Sequence, residues 1–80
     1  MTSVRVKLTF PEHLVRQPLL ARMVREFDVM PNIRRANVET HSGWVILELC
    51  GEQQAIDDAV SWFSEVGVVV NRMEGDVLES

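Results

Sequence analysis

Eighty residues, 46% of them hydrophobic and 25% charged, are enough for one folded domain and too few for two. No apolar run approaches the roughly 20 residues that a membrane span needs, so we expect no membrane insertion. The formal net charge of −4 counts against nucleic acid as the main partner, because an acidic protein repels phosphate backbones at long range. The N-terminus lacks the basic region and apolar core of a secretion signal, so we expect a single cytoplasmic domain over 1–80.

The charge is divided unevenly along the chain. Residues 1–40 carry seven basic and four acidic groups, a balance of +3, whereas residues 41–80 carry one basic and eight acidic groups, a balance of −7. Halves of opposite charge attract each other, either within one chain or between copies. The last seven residues, 74–80, form an acidic tail that we expect to be loose, which leaves 4–73 as the core of the domain.

The first half of the chain has the pattern of a strand, a helix and a second strand. Apolar residues alternate with Arg5, Lys7 and Thr9, which predicts a strand whose even-numbered residues form one apolar face. A loop bounded by Pro11 and Pro18 follows, and Pro18 suits the first position of a helix because its missing N–H would be unpaired there. The apolar residues of this helix are Leu19, Leu20, Met23, Val24 and Phe27.

The boundaries that follow the first helix are set by residues that favour special backbone conformations. We expect the helix to end near Asp28, which tolerates a left-handed conformation, and Met30 to be extended because it precedes Pro31. The segment 33–41 is predicted as the second strand. Ser42 and Gly43 then provide the turn of a hairpin.

The second half repeats the pattern of the first. Residues 44–50 are predicted as a strand and 68–72 as the last strand. Between them, a helix opens at Gly51 and Glu52, has Asp57 and Asp58 near its positive end, and stops at a left-handed Gly67. Its apolar residues recur at the same spacing as in the first helix: Ala55, Ile56, Ala59, Val60 and Phe63.

The predicted order is therefore β-α-β-β-α-β, the split βαβ or ferredoxin-like arrangement of the α+β class. Such a fold has a four-stranded antiparallel sheet with two helices on one face. Facing the helices we expect Val45, Leu47 and Leu49 of the third strand and Ala36 and Val38 of the second. The other face of the sheet is then open and mixed in character.

The apolar centre of the open face is the predicted interface. Trp44 and Ile46 project from the third strand, and Val69 lies on an edge strand nearby. Half-apolar, half-charged sheet faces are often covered by a partner. These residues therefore favour self-association, and we expect a homodimer.

Six blocks of the sequence occur in an order known from another family: 6–10, 18–20, 29–36, 51–54, 59–63 and 68–70. Together they resemble the NIL domain, a family similar in fold to the ACT regulatory domains. The resemblance covers roughly residues 4–73 and implies a small-molecule sensor or regulatory domain, since in methionine importers the domain binds methionine and inhibits import. One departure is Arg34, because this chain has Asn32-Ile33-Arg34 where the family takes its name from Asn-Ile-Leu.

The resemblance also implies where a partner would be found. The family occurs at the C-terminus of importer ATPase subunits and fused to ferredoxin-type iron–sulfur proteins. Because this chain carries no ATPase and no cluster cysteines, we expect it to act on another chain, such as a transporter or an iron–sulfur protein in trans, or on itself as an oligomer.

Asn32 is the leading candidate for a ligand contact, because an uncharged amide can meet both the carboxylate and the ammonium of an amino acid. Met30, Ile33 and Met23 can supply a soft apolar wall for a thioether or branched side chain. The uncapped start of the first helix, after Gln17, can accept a carboxylate. The structural alternatives are that Asn32 fixes the turn after Pro31, that water satisfies the helix start, and that the apolar residues are plain core.

Other functions have less support in the sequence. An RNA-recognition module would need aromatic residues on the two central strands, and Trp44 next to Glu48 is a weak platform. His13 and His41 show no catalytic or zinc-ligand spacing, and a single cysteine, Cys50, excludes multi-cysteine metal sites, so we expect no enzyme, no metal and no cofactor. The competing class is a pure interaction or dimerisation module without a small ligand.

Overall fold

The structure, a computed structural model, describes residues 2–73 and contains four strands and two helices. In chain order they are β1 (Thr2–Phe10), α1 (Leu19–Glu26), β2 (Val29–Val38), β3 (Gly43–Gly51), α2 (Gln53–Val66) and β4 (Val69–Arg72). The sheet has the order β2-β3-β1-β4, and every neighbouring pair is antiparallel. The predicted ferredoxin-like βαββαβ fold is confirmed.

One face of the two central strands holds the core. Val6 and Leu8 of β1 and Leu47 and Leu49 of β3 are fully buried, as the alternation predicts. The register pairs Val6 with Leu47 and Leu8 with Val45, so these side chains form one apolar layer. Both helices pack their apolar residues onto it, with Leu19, Met23, Ile56, Ala59 and Phe63 buried.

The connection from α1 to β2 differs from the prediction. The helix ends at Glu26, Phe27 is extended, and β2 begins at Val29, so Asp28 does not take a left-handed conformation. Met30 and Pro31 lie inside β2, and the predicted start at Ile33 is four residues too late. Proline is tolerated there because β2 is an edge strand, where an N–H that points outward has no partner to lose.

The exposed end of β2 is the second difference. Ala36 pairs with Val45 and Val38 with Gly43, so both lie on the helix side of the sheet as predicted. Neither is buried, however, and Val38 is 72% exposed. The reason is that α1 is only eight residues long and leaves this end of the edge strand uncovered.

The remaining boundaries are close to those expected. The turn of the hairpin lies in residues 39–42, closed by a hydrogen bond from the Glu39 N–H to the Ser42 carbonyl at 2.8 Å, and Gly43 already belongs to β3. Gly51 likewise ends β3, so α2 begins at Gln53 after Glu52. Asp57 and Asp58 lie beyond the first turn of α2, where they accept hydrogen bonds from glutamines four residues earlier.

The predicted loose tail, residues 74–80, lies outside the described residues. Within residues 2–73, neither helix is long and apolar enough to cross a membrane.

Gly67 ends α2 in the predicted left-handed conformation, with φ of 110°. A Cβ added here would lie 3.3 Å from Leu14 Cδ1. We therefore expect Gly67→Ala to lower the free energy of unfolding by about 1–2 kcal/mol, because both the backbone conformation and the close contact oppose a side chain. Urea denaturation measures this, and Ser64→Ala on the exposed side of the same helix should stay within about 0.5 kcal/mol of the parent. Equal stability of G67A and the parent would contradict the left-handed conformation and the close contact at Gly67.

Candidate ligand-binding groove

A groove opens where α1 and the loop before it leave the helix side of the β2–β3 hairpin uncovered. Its volume is about 290 Å³, at the small end of the range for ligand pockets. Most of its wall is apolar. The residues that line it are Phe10, Val15, Gln17, Pro18, Leu19, Leu20, Ala21, Ile33, Ala36, Val38, Gly43, Trp44 and Val45.

The loop between β1 and α1 forms one side of the groove. It is held by backbone hydrogen bonds from the Leu14 N–H to the Pro11 carbonyl at 2.9 Å and from the Gln17 N–H to the Leu14 carbonyl at 3.0 Å. Leu14 is buried in the core and anchors the loop, which leaves Val15 and Pro18 beside the groove. The wall is therefore positioned by a turn that is itself fixed.

The polar groups of the groove lie at the start of α1. Pro18 precedes the helix, no side chain caps its first turn, and no acidic residue lies in that turn. The first N–H groups of a helix carry a partial positive charge and favour an anion such as a carboxylate. Gln17, which also lines the groove, adds an amide that can both donate and accept.

The four residues predicted as ligand contacts are not brought together within one chain. Met23 is fully buried in the core, whereas Ile33 lines the groove and is 56% exposed. Asn32 pairs with Glu48 and Met30 with Cys50, which places both on the open face of the sheet. Within residues 2–73, Ile33 is thus the one member of the predicted set that lies in the groove.

The three predicted interface residues share the open face. Thr9 of β1 pairs with Trp44 on one side and with Val69 on the other, so Trp44 and Val69 lie in one row across the sheet. Trp44 and Ile46 are half-buried and Val69 is 55% exposed. The Lys7 ammonium lies 5.1 Å from the centre of a Trp44 ring, in a cation–π contact.

The sequence did not predict a β-bulge in β2. The register shifts between Ile33 and Arg35, leaving Arg34 without a partner residue on β3. A bulge lets two consecutive residues face the same way, and both Arg34 and Arg35 line a cleft on the open face. The signal in the sequence was the pair of adjacent arginines, because simple alternation would turn one of them towards the apolar side.

Glu48 lies at the centre of this open face. Its carboxylate is 3.2 Å from the Arg5 guanidinium and 3.8 Å from the Arg34 guanidinium. The side chains of Arg5 and Glu48 are each 27% exposed, so this pair is partly shielded from water. The open face is therefore more basic than the negative charge of the whole chain suggests.

The histidines and the cysteine are not gathered into a site. His41 contacts the Glu12 carboxylate at 2.6 Å, on the surface and away from the groove. Cys50 is a free, half-buried thiol next to Ser3 Oγ at 3.6 Å. Among residues 2–73, no three His, Cys, Asp or Glu residues come close enough to hold a metal ion.

Comparison with known proteins gives one consistent result. The sequence profile described as the NIL domain matches residues 4–72. The chain is 32% identical over 68 residues to a methionine import ATP-binding protein from Helicobacter hepaticus, an alignment that covers 80% of this chain and only 19% of that protein. It is 30% identical over 71 residues to an uncharacterised protein from Synechocystis, covering 86% of this chain and 73% of that one.

A solved structure supports the fold. The C-terminal domain of an ABC transporter ATP-binding protein from Enterococcus faecalis superposes with a TM-score of 0.77 and 23% identity. The match covers 88% of this chain and 82% of the other. At that identity the likeness concerns the fold alone.

Proposed function

This chain belongs to the NIL domain family, and on that premise we propose that it is a non-enzymatic regulatory domain that binds a small metabolite. The proposed ligand is an amino acid with an apolar side chain, such as methionine. The observation that carries the proposal is the apolar groove with an uncapped helix start at one end.

The groove offers a free amino acid two kinds of contact. Leu20 and Ile33 can pack against an apolar or thioether side chain, which gains about 25 cal/mol per Å² of apolar surface removed from water. The Leu19 N–H already donates to the Gln17 carbonyl at 2.8 Å, so the N–H groups of Leu20 and Ala21 are the ones that can receive the carboxylate. The Gln17 amide oxygen can accept from the ammonium group. Methionine is favoured among such ligands because one relative is named as a methionine import protein.

Binding of the ligand in the groove would be signalled through contact with a second chain. Three large apolar residues, Val24, Ile33 and Val38, are exposed on α1 and on the helix side of β2, the elements that wall the groove. Covering them removes apolar surface from water, and we propose that a second copy does so. A transporter subunit or an iron–sulfur protein is the alternative partner.

Asn32 makes no contact with the ligand in this proposal. It lies on the same edge strand as Ile33 but on the other face, where it does not line the groove of its own chain. Met30 shares that open face, so neither residue reaches a ligand in the groove or a second copy that covers the helix side of β2.

A substitution that fills the groove tests whether an amino acid binds there. Ala36 lines the groove and is exposed, so Ala36→Phe should occupy the space without disturbing the core. In isothermal titration calorimetry against a panel of amino acids, we expect methionine-class ligands to bind the parent in the micromolar to millimolar range and A36F at least about tenfold more weakly. Val69→Phe, an equal enlargement on the opposite edge strand, should bind like the parent.

If no amino acid binds the parent up to millimolar concentration, the ligand part of the proposal is wrong. The chain would then be a pure interaction module, which is the competing function. If A36F and V69F lose affinity equally, the ligand is bound outside the groove.

Light scattering after size-exclusion chromatography tests whether a second copy associates at the groove. A charge at the groove mouth should prevent a second copy from covering it, so we expect Val38→Asp to remain monomeric with or without methionine. Val69→Asp places the same charge on the open face and should associate like the parent. Monomeric V69D with a dimeric V38D would instead place the interface at Trp44, Ile46 and Val69.

A further inference from the structure

The open face of the sheet contains a second cleft, on the other side of β2 from the groove. Its volume is about 350 Å³, and Arg5, Arg34, Arg35, Ile46 and Met73 line it. Three arginines therefore line one small space together with two apolar residues. Met73 is held there by a hydrogen bond from its N–H to the Arg5 carbonyl at 2.9 Å.

The charges in this cleft are not balanced by the described residues. Glu48 contacts both Arg5 and Arg34, at 3.2 and 3.8 Å, and one carboxylate cannot neutralise two guanidiniums. No ion pair joins Arg35 to a carboxylate of residues 2–73. Three positive charges against one negative charge leave an excess of two.

Arg5 also has an unused donor. Its Nε is buried and has no hydrogen-bond partner within residues 2–73. Burying a donor without a partner costs free energy, so a small movement of the Arg5 side chain that brought Nε to an acceptor would be favoured. The half-buried position of Arg5 also limits the screening of its charge by water.

We propose that this cleft binds the phosphate group of a small phosphate monoester. A dianion matches the excess of two charges, and guanidinium groups fit phosphate oxygens with paired hydrogen bonds. Ile46 and Met73 provide an apolar wall for the organic part of the ligand. The site is separate from the groove and does not depend on the proposed amino-acid binding.

A single-stranded RNA is less suited to this surface than a small phosphate. Bases bind such sheets by stacking on exposed aromatic rings, but Trp44 already has the Lys7 ammonium at 5.1 Å. The arginines of the cleft gather around Glu48, which contacts two of them, whereas a strand of RNA requires a continuous basic track. RNA is therefore an outcome that would overturn the proposal.

The test is an amide-shift titration of the full chain at pH 7.5, where a phosphate monoester is a dianion. The probes are inorganic phosphate and glycerol 3-phosphate, with glycerol and sodium chloride at matched ionic strength as controls. We expect both phosphates to shift the amides of Arg5, Arg34, Arg35 and Ile46, and glycerol 3-phosphate to shift Met73 as well. The controls should leave these five amides unchanged.

Matched variants test which arginines bind the phosphate. Arg35→Gln should weaken binding about tenfold or more, because it removes a charge-assisted pair. Arg25→Gln, which removes the same charge from the last turn of α1, should change affinity less than about twofold. Glu48→Gln should strengthen binding several-fold because it removes the competing carboxylate, a gain that a purely structural role would not produce.

The proposal is overturned if neither phosphate shifts these amides up to about 10 mM, which corresponds to negligible affinity. It is also overturned if R25Q weakens binding as much as R35Q, if E48Q binds more weakly than the parent, or if single-stranded RNA binds more tightly than glycerol 3-phosphate. Loss of methionine binding in A36F with phosphate binding intact would show that the two sites are independent.

Discussion

The structure depends on burial of one side of a four-stranded sheet under two helices. Val6, Leu8, Leu47 and Leu49 form a fully buried layer, and Phe63 and its neighbours on the helices complete it. Because strand residues alternate, the same constraint sends Arg5, Lys7, Ile46 and Glu48 to the other side. The open face therefore receives the charged residues, while the groove forms where the short α1 fails to cover the end of the sheet.

The elements with regular periodicity could be predicted from the sequence. β1 and β3 alternate without interruption, so both their faces and their pairing follow from burial of one apolar side. The end of α2 was also predictable, because Gly67 occupies a conformation that disfavours other residues. In these places local preference and tertiary packing agree, which is the condition under which sequence patterns are reliable.

β2 could not be predicted in the same way. It contains a proline that reads as a boundary, and a bulge that changes which side each residue occupies. Alternation places Asn32 and Ile33 on opposite faces, and the bulge after Ile33 lets Ile33 share the helix side with Ala36. The same bulge lets Arg34 and Arg35 line one cleft on the open face. An edge strand has one neighbour instead of two, and fewer constraints on its register are visible in the sequence.

Membership of the family explains the fold more fully than it explains the ligand. The profile match spans residues 4–72, yet Arg34 replaces the apolar third residue of the triplet that gives the family its name. In this structure that replacement lies on the open face, in contact with Glu48, and not in the groove. The change therefore adds positive charge to the open face and leaves the apolar wall of the groove intact.

The proline in β2 has a consequence for how copies of this protein meet. The outward side of β2 offers no N–H donor at Pro31, and the bulge interrupts the regular spacing of the peptide groups a few residues later. A strand from a neighbouring molecule would find no continuous row of peptide groups to bind on β2, so the sheet should not extend through this edge. Amyloid-like growth from this edge is thereby discouraged, and specific pairing across β2 must be made by side chains.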